Sequence, residues 1–124
     1  MDRSLVEKIV GKKHYVELND EIFNLRTITY KIRENILFKI DFTDDFIDEI
    51  YSKVNNSYKI ISNIIDGLES DKFTKGYTNS KVYLLKYLKN IYNNLNGMLD
   101  SINPINYDKI LVYTNSLIDL ILLF

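Results

Sequence analysis

The amino-acid sequence predicts an all-α fold: an antiparallel up-down-up-down four-helix bundle preceded by a short N-terminal leading helix. In residues 43–69, apolar side chains occupy all but one of the heptad a and d positions counted from Ile47, and every b, c and f position is polar. This period belongs to a helix and not to a strand. Two further long segments have the same period, and most breaks are short, so we expect consecutive helices to lie antiparallel. A length of 124 residues predicts a single domain over residues 1–124.

The N-terminal part predicts a short helix followed by a long one. Residues 3–12 form the predicted leading helix, which Gly11 would end. The first long helix covers about residues 16–39 and has one apolar row from Leu18 to Ile36. A second apolar row recurs every seven residues, at Phe23, Tyr30 and Leu37. Because a helix with two apolar rows contacts two neighbours, we expect the leading helix or a second copy of the chain to cover the second row.

Capping residues predict where the next two helices begin. The central helix covers residues 43–69, and its candidate N-caps are Asp41 and Thr43. Residues 70–78 form the longest predicted loop, and the third helix follows over about residues 80–100. Candidate N-caps of the third helix are Asn79 and Ser80.

The fourth helix is predicted over about residues 104–124, with Asn103 as its N-cap and Pro104 as its first residue. Apolar side chains surround most of its circumference. The narrow polar stripe that remains comprises Asp108, Asn115 and Asp119. A membrane anchor is one interpretation, but the apolar run from Ile110 has only fifteen residues and includes Asp119, whereas a span needs about 20 apolar residues. We therefore expect a central helix, or one whose outer face is covered by another chain.

Composition limits the classes of function. The chain is 46% hydrophobic and 27% charged with a net charge of −1, which argues against a surface devoted to nucleic acid or to an acidic membrane. The absence of cysteine excludes disulfides and thiolate metal sites. The N-terminus lacks the apolar segment of a secretory signal, so we expect a cytoplasmic location, in the cell or in an infected host cell. Abundant asparagine, isoleucine, lysine and tyrosine without alanine favour an AT-rich genome, such as that of a virus, a phage or a low-GC microbe.

Two sets of polar residues are candidates for chemistry. An acidic cluster comprises Asp41, Asp44, Asp45, Asp48 and Glu49, with i, i+4 pairs suited to Mg²⁺ or Ca²⁺. Its position at a helix N-terminus favours a structural interpretation, because the helix dipole stabilises acids there. The only histidine, His14, is expected on the surface at a helix boundary, with no partners for a metal site or a catalytic triad. We therefore predict no catalytic, metal-binding or cofactor-binding residue, no cofactor and no enzymatic activity.

A basic stretch is the alternative candidate for binding. Lysines alternate there with aromatic residues, as on surfaces that bind single-stranded nucleic acid. The residues concerned are Lys72, Lys75, Lys81, Lys86, Lys89 and Tyr83. The structural interpretation is that these lysines keep the outer face of the third helix solvated, with acids of the preceding helix beside them.

The leading functional hypothesis is a non-enzymatic interaction protein that buries apolar helix surface against a protein partner, including a second copy of itself in a homodimer. The fourth helix motivates it, because its apolar area exceeds what three neighbours need. The expected partner-binding residues are Tyr113, Leu120, Leu123 and Phe124, with Phe23, Tyr30 and Leu37 as a second set. Such a protein fits a small virus- or phage-encoded regulator or inhibitor of the antitoxin or immunity type. The alternative is a helical nucleic-acid-associated subunit that uses the Lys72–Lys89 face; neither a small-molecule substrate nor a membrane is expected as a partner.

Overall fold

The computed structural model describes residues 1–73 and 75–124. Within these residues the chain forms helices joined by turns and contains no strand, so the predicted all-α class is confirmed for this part of the chain. The helices are α1 (Arg3–Val10), α2 (Lys12–Leu37), α3 (Asp44–Glu69), α4 (Thr78–Asp100) and α5 (Tyr107–Leu122). Thr74, within the predicted loop over residues 70–78, lies outside the described residues.

Gly11 separates the first two helices, as the sequence predicts. Its φ of 86° and ψ of 162° belong to a region that glycine tolerates and residues with a Cβ avoid, and its N–H donates to the Glu7 carbonyl at 2.8 Å. α2 begins at the next residue, Lys12, rather than near residue 16. The first turn of α2 contains Lys12, Lys13 and His14, so no apolar residue marks this turn in the sequence.

Thr43 is the N-cap of α3, one of the two predicted candidates. Its hydroxyl accepts a hydrogen bond from the Phe46 N–H at 3.1 Å. Asp44 and Asp45 occupy the first turn, where the partial positive charge of the helix N-terminus stabilises carboxylates.

The predicted start of α4 is wrong by two residues. α4 begins at Thr78, so neither Asn79 nor Ser80 is its N-cap. The preceding residue, Tyr77, has left-handed torsion angles (φ 54°, ψ 34°), and its side chain makes no capping hydrogen bond. The capping residues in the sequence therefore predict the start of this helix only to within two residues.

The predicted start of α5 is also wrong. The Asn103–Pro104 peptide is cis and lies in a turn, which the Asn106 N–H closes by donating to the Ser101 carbonyl at 2.8 Å. α5 begins three residues after Pro104, and Asn106 is its N-cap. The Asn106 side-chain oxygen accepts from the Lys109 N–H at 3.1 Å. Two asparagines three residues apart offer the same cap, and the turn selects the second.

The core lies between the four long helices. α2 contacts α3, α3 contacts α4, α4 contacts α5 and α5 contacts α2, a closed ring that is compatible with the predicted four-helix bundle. α1 contacts α2 and α4. Each long helix contributes fully buried aliphatic side chains, among them Leu25, Ile32, Ile50, Ile61, Leu88, Leu95, Ile110 and Leu117. Burying one such side chain is worth roughly 1.5–3 kcal/mol, so these rows dominate the stabilisation of the fold.

α5, the most apolar of the long helices, packs against both α2 and α4. Its buried residues are Ile110, Thr114, Leu117, Ile118 and Ile121. Among the helices of the described chain, none combines the length and the apolar content needed to cross a bilayer.

Candidate protein-docking face

Four apolar residues of α2 lie on its solvent-facing side at intervals of seven residues: Val16, Phe23, Tyr30 and Leu37. The exposed fractions of Val16, Phe23 and Leu37 are 45%, 66% and 63%, and Tyr30 is half-buried. A seven-residue interval drifts only about 20° around a straight helix, so these side chains form one nearly straight row. At 1.5 Å per residue this row, called the α2 row below, is roughly 31 Å long.

The opposite side of α2 faces the core. Leu18, Leu25 and Ile32 are fully buried there. A polar contact joins the same side to α3, because the buried Ser57 hydroxyl donates to Glu21 Oε2 at 2.6 Å. α2 therefore has two apolar rows on opposite sides, and the neighbouring helices cover only one of them.

The expectation that the leading helix covers the second row of α2 is wrong. α1 contacts both α2 and α4 without covering that row, and its residues Leu5, Val6 and Ile9 line a groove of about 240 Å³ together with Tyr83 and Leu84 of α4. With the chain turned at Gly11, Phe23 and Leu37 remain exposed.

Charged residues of opposite sign lie on the two sides of the α2 row. Arg26 and Arg33 follow Phe23 and Tyr30 by three residues, and their guanidinium carbons lie 5.9 Å and 5.2 Å from the Tyr30 ring centroid. Asp20 and Glu34 are exposed on the other side, four residues after Val16 and Tyr30. Neighbours three and four residues apart flank a helix row on opposite sides. The α2 row thus has a cationic flank and an acidic flank.

The exposed apolar surface continues past the end of α2. Phe38 and Ile40 are 71% and 54% exposed. Lys39 between them has a left-handed φ of 56°, and the Ile40 N–H donates to the Asn35 carbonyl at 2.8 Å, which fixes the chain reversal as a Schellman turn. The Phe42 N–H then donates to the Tyr107 hydroxyl at 3.1 Å. The apolar residues of this turn are therefore held in place by backbone hydrogen bonds.

The residues of α5 predicted to bind a partner do not share one exposed surface. Phe124 is buried, stacks with Tyr87 at a centroid distance of 6.3 Å, and lies under the Arg3 guanidinium at 5.2 Å. Tyr113 and Leu120 are half-buried, and Leu123 is 54% exposed. Tyr113 is accommodated because its ring lies over Gly97, where any Cβ would collide with it.

Two exposed apolar residues of α5 were absent from the sequence prediction. Val112 and Leu122 are 65% and 64% exposed. They lie on the same stripe as Asp108, Asn115 and Asp119, at alternating intervals of four and three residues. The spacing of the polar residues could have predicted this exposure, because residues 112 and 122 continue the same alternation of four and three residues and so lie on the same side of the helix.

The basic stretch is partly neutralised by the end of α3. Lys81 Nζ lies 3.5 Å from Asp71, and Lys89 Nζ lies 3.4 Å from Glu69. Lys72, Lys75 and Lys86 are exposed, as is Tyr83. Tyr87, by contrast, is buried and donates its hydroxyl hydrogen to the Leu120 carbonyl at 2.7 Å, and this burial raises its pKa. Of the aromatic residues in the stretch, Tyr87 therefore faces inward, whereas Tyr83 is exposed three residues before Lys86 on α4.

One member of the acidic cluster, Glu49, pairs with cations of α2 and α3. Glu49 lies 3.0 Å from Lys31 and 3.7 Å from Lys53. Within residues 1–73 and 75–124, no group of three or more histidine, aspartate or glutamate side chains could hold a metal ion. The geometry therefore gives Glu49 a structural role.

His14 is half-buried and not fully solvated as expected. Its ring packs edge-on against Phe73 at a centroid distance of 5.3 Å, and its Nδ1 lies 4.0 Å from Glu17. The Phe73 ring occupies the space above Gly67, where a Cβ would meet it at 2.5 Å. His14 thus helps to seat the segment after α3 on the end of the bundle.

The α2 row is consequently the longest exposed apolar feature at helical spacing in the described chain. Comparisons of this chain with protein-family models, with curated proteins and with solved structures found no match.

Proposed function

We propose that this chain is a non-enzymatic interaction protein that binds a helix of a protein partner along the α2 row. The single observation that carries the proposal is the exposure of Phe23 and Leu37 at 66% and 63%, in register with Val16 and Tyr30. Apolar side chains at seven-residue intervals supply one of the two apolar positions of the heptad with which helices pack side by side, and here the second position is occupied by Asn19, Arg26 and Arg33. Large apolar side chains that are exposed in line on one helix are candidates for a protein-interaction site.

We further infer that the four long helices form an antiparallel bundle whose core is complete without the α2 row. Three pairs of contacts support this topology, since residue numbers rise in one helix as they fall in its neighbour. Glu21 meets Ser57 and Lys31 meets Glu49; Tyr58 meets Tyr92 and Glu69 meets Lys89; Tyr87 meets Leu120 and Gly97 meets Tyr113. With the inward faces packed in this way, the core includes none of the four residues of the row.

The bundle gives the row a rigid support. Between α3 and α4, the Tyr58 and Tyr92 rings stack at 4.5 Å and their hydroxyls share a hydrogen bond, which raises the pKa of Tyr58. Between α2 and α3, the Ser57–Glu21 hydrogen bond fixes the rotation of α2 about its axis. A pre-organised surface binds more tightly, because less side-chain and backbone freedom is lost on association.

Composition suggests the biological class. A small, cysteine-free, AT-rich-encoded helical protein that acts by contact fits a viral or phage regulator or inhibitor, of the antitoxin or immunity type. Nucleic-acid binding through Lys72–Lys89 is less well supported, since Asp71 and Glu69 pair with two of its five lysines. Affinity for single-stranded nucleic acid that falls steeply with salt would favour that alternative.

The test replaces one anchor of the row. Phe23→Glu places a charge in the contact, whereas Asn24→Glu, one residue further on and also exposed, places the same charge beside it and serves as the control. Burying a side chain of this size is worth roughly 2 kcal/mol, so we expect Phe23→Glu to weaken binding by about 30-fold or more.

Two measurements read this out. Light scattering after size exclusion reports self-association, and affinity capture from the native source followed by quantitative mass spectrometry reports other proteins. The proposal is supported if the wild type and Asn24→Glu both bind by either measure and Phe23→Glu does not. If Phe23→Glu associates with the same proteins to the same extent as the wild type, the proposal is wrong.

A further inference from the structure

We infer that the occupant of the α2 row is a second copy of this chain, docked so that the two α2 helices lie side by side and point in the same direction. This inference rests on the proposed function and names its partner. The evidence is the distribution of charges on the two flanks of the row, which favours one of the two possible dimer arrangements over the other.

Two symmetric arrangements bring an α2 row against its own copy. In both, a two-fold axis relates the chains, because most homodimers are closed by such an axis. If the axis runs parallel to α2, the helices are parallel, and each flank of one row faces the opposite flank of the other. If the axis runs perpendicular to α2, the helices are antiparallel, and each flank faces its own counterpart.

Between Val16 and Leu37 the flanks of this row are sorted by sign, whereas Lys12 and Lys13 at the start of α2 place one exposed cation on each flank. Arg26 and Arg33 lie on one flank, and Asp20 and Glu34 lie on the other. Within residues 1–73 and 75–124, none of the four has an oppositely charged side chain within 4.0 Å. By contrast, Lys31 on the α3 side of the same helix is paired with Glu49 at 3.0 Å. The charges beside the row are thus available to a partner.

The parallel arrangement satisfies these charges. Residues of equal number then lie at equal height, so Arg33 of each copy is adjacent to Glu34 of the other. Arg26 of each copy extends toward Asp20 of the other, because long side chains on a helix lean toward its N-terminus. The apolar side chains meet in register along the row, as in a parallel two-stranded coiled coil.

The antiparallel arrangement brings like charges together. The midpoint of the row lies between Phe23 and Tyr30, so a perpendicular axis there would place Arg26 against Arg26 and Asp20 against Glu34. Like charges at close range are unfavourable at contacts of this kind. The parallel arrangement also joins the two turns that contain Phe38 and Ile40, whose exposed side chains extend the contact beyond the end of α2.

The absence of cysteine from the chain makes a direct test of direction available. A disulfide forms only where two Cα atoms lie within about 7 Å of each other. In the parallel dimer, Val16→Cys and Leu37→Cys should each cross-link to the same residue of the second copy under mild oxidation. In an antiparallel dimer neither cross-links to itself, and only a mixture of the two variants does. Asn115→Cys, exposed on α5, is the control for random collision.

Charge variants provide an independent readout. In the parallel dimer, Glu34→Arg should weaken self-association by roughly three- to tenfold, as expected for two exposed ion pairs. The double variant Arg33→Glu/Glu34→Arg exchanges the signs and should restore most of the affinity. In an antiparallel dimer, Glu34→Arg would strengthen association instead, because it removes the repulsion from Asp20.

The outcomes separate this inference from the proposed function. A species of about 29 kDa, twice the 14.7 kDa of one chain, with self-cross-linking at both row positions supports the parallel homodimer. Cross-linking only in the Val16→Cys and Leu37→Cys mixture overturns it. A monomer at micromolar concentration that still captures another protein in a Phe23-dependent manner overturns the second copy as partner but leaves the proposed function intact. If neither association depends on Phe23, both are wrong.

Discussion

α5 has apolar side chains around more of its circumference than α2, yet α2 exposes the longer apolar row. α5 packs against α2 and α4, and two aromatic residues of this part of the chain lie against α4: Tyr113, half-buried, lies over Gly97, and Phe124, just after the helix, is buried beside Tyr87. Apolar residues make up a smaller fraction of α2, but they are divided between two opposite sides, and the neighbouring helices cover one side. The comparison teaches that exposure depends on how apolar residues are arranged around a helix relative to its neighbours, more than on their number.

The largest expected difference between the two helices is in the free energy of unfolding that is lost when an apolar side chain is replaced by alanine. Leu117 of α5 is fully buried, so Leu117→Ala should lower the free energy of unfolding by about 3 kcal/mol, through lost burial and the cavity left behind. Phe23→Ala on the α2 row should change it by less than about 0.5 kcal/mol in the monomer. Urea unfolding at low protein concentration measures both. A large loss of monomer stability in Phe23→Ala would mean that the row is covered from within the chain.

A second prediction concerns the covered side of α2. Ser57→Ala removes the only hydrogen bond recorded for the buried Glu21 carboxylate within the described residues, and should cost roughly 2 kcal/mol, because a buried acceptor then lacks a donor. Replacing both groups by apolar ones, in Glu21→Leu/Ser57→Ala, should recover most of the loss. Urea unfolding of the two variants decides the matter. A double variant as unstable as the single one would show that the carboxylate has other partners.

The sequence carried enough information to predict the helices and the existence of the α2 row. Period alone places Phe23, Tyr30 and Leu37 on one side of α2, opposite Leu18 and Leu25. Which neighbour covers that side is not a local property. It depends on the direction in which α1 leaves Gly11. Because glycine adopts positive as well as negative φ, its presence in the sequence does not specify that direction.

The predicted α5 contact set illustrates a second limit of sequence reasoning. The excess of apolar residues in this segment predicts that Phe124 and Tyr113 are exposed for a partner. In the structure Phe124 packs against Arg3 and Tyr113 packs against Gly97, and both contacts join residues that are distant in the chain. Helix starts fail for a different reason. Asn103 and Asn106 have the same capping ability, and the turn between α4 and α5 selects one of them.

A third prediction tests how the end of α5 is fixed to α4. Tyr87→Phe deletes the hydrogen bond from the Tyr87 hydroxyl to the Leu120 carbonyl and should cost about 1 kcal/mol at neutral pH. Because burial raises the pKa of Tyr87 above its unfolded value near 10, the wild type should lose stability as the pH rises above about 10, where the unfolded chain releases this proton first.

Unfolding of wild type and Tyr87→Phe at pH 9 and pH 11 measures that effect, and the variant should show the smaller decrease. Tyr77→Phe, at the residue before the same helix and 44% exposed, is the matched control and should behave like the wild type. Equal alkaline losses in all three proteins would contradict the assigned role of Tyr87.

The smallest expected effect is at the end of α2. Lys39 adopts a left-handed φ of 56°, which costs a residue with a Cβ roughly 1 kcal/mol and costs glycine little. Lys39→Gly should therefore raise the free energy of unfolding by about 0.5 kcal/mol after the entropy of glycine is deducted, and raise the melting temperature by a few degrees. Differential scanning calorimetry measures it. A lower melting temperature would show that the Lys39 side chain itself stabilises the turn.

Gly11 determines more than the boundary between two helices. With any side chain at residue 11, the torsion angles that turn the chain there become unfavourable, and helical continuation is the nearest alternative. Residues 3–37 would then form one straight rod roughly 53 Å long, whereas α3 with its 26 residues measures about 39 Å. Val6, Ile9 and Val10 would then be exposed to water, and Leu84 at the start of α4 would lose the α1 side chains that cover it. One codon thus decides whether the molecule has a closed end or an open one.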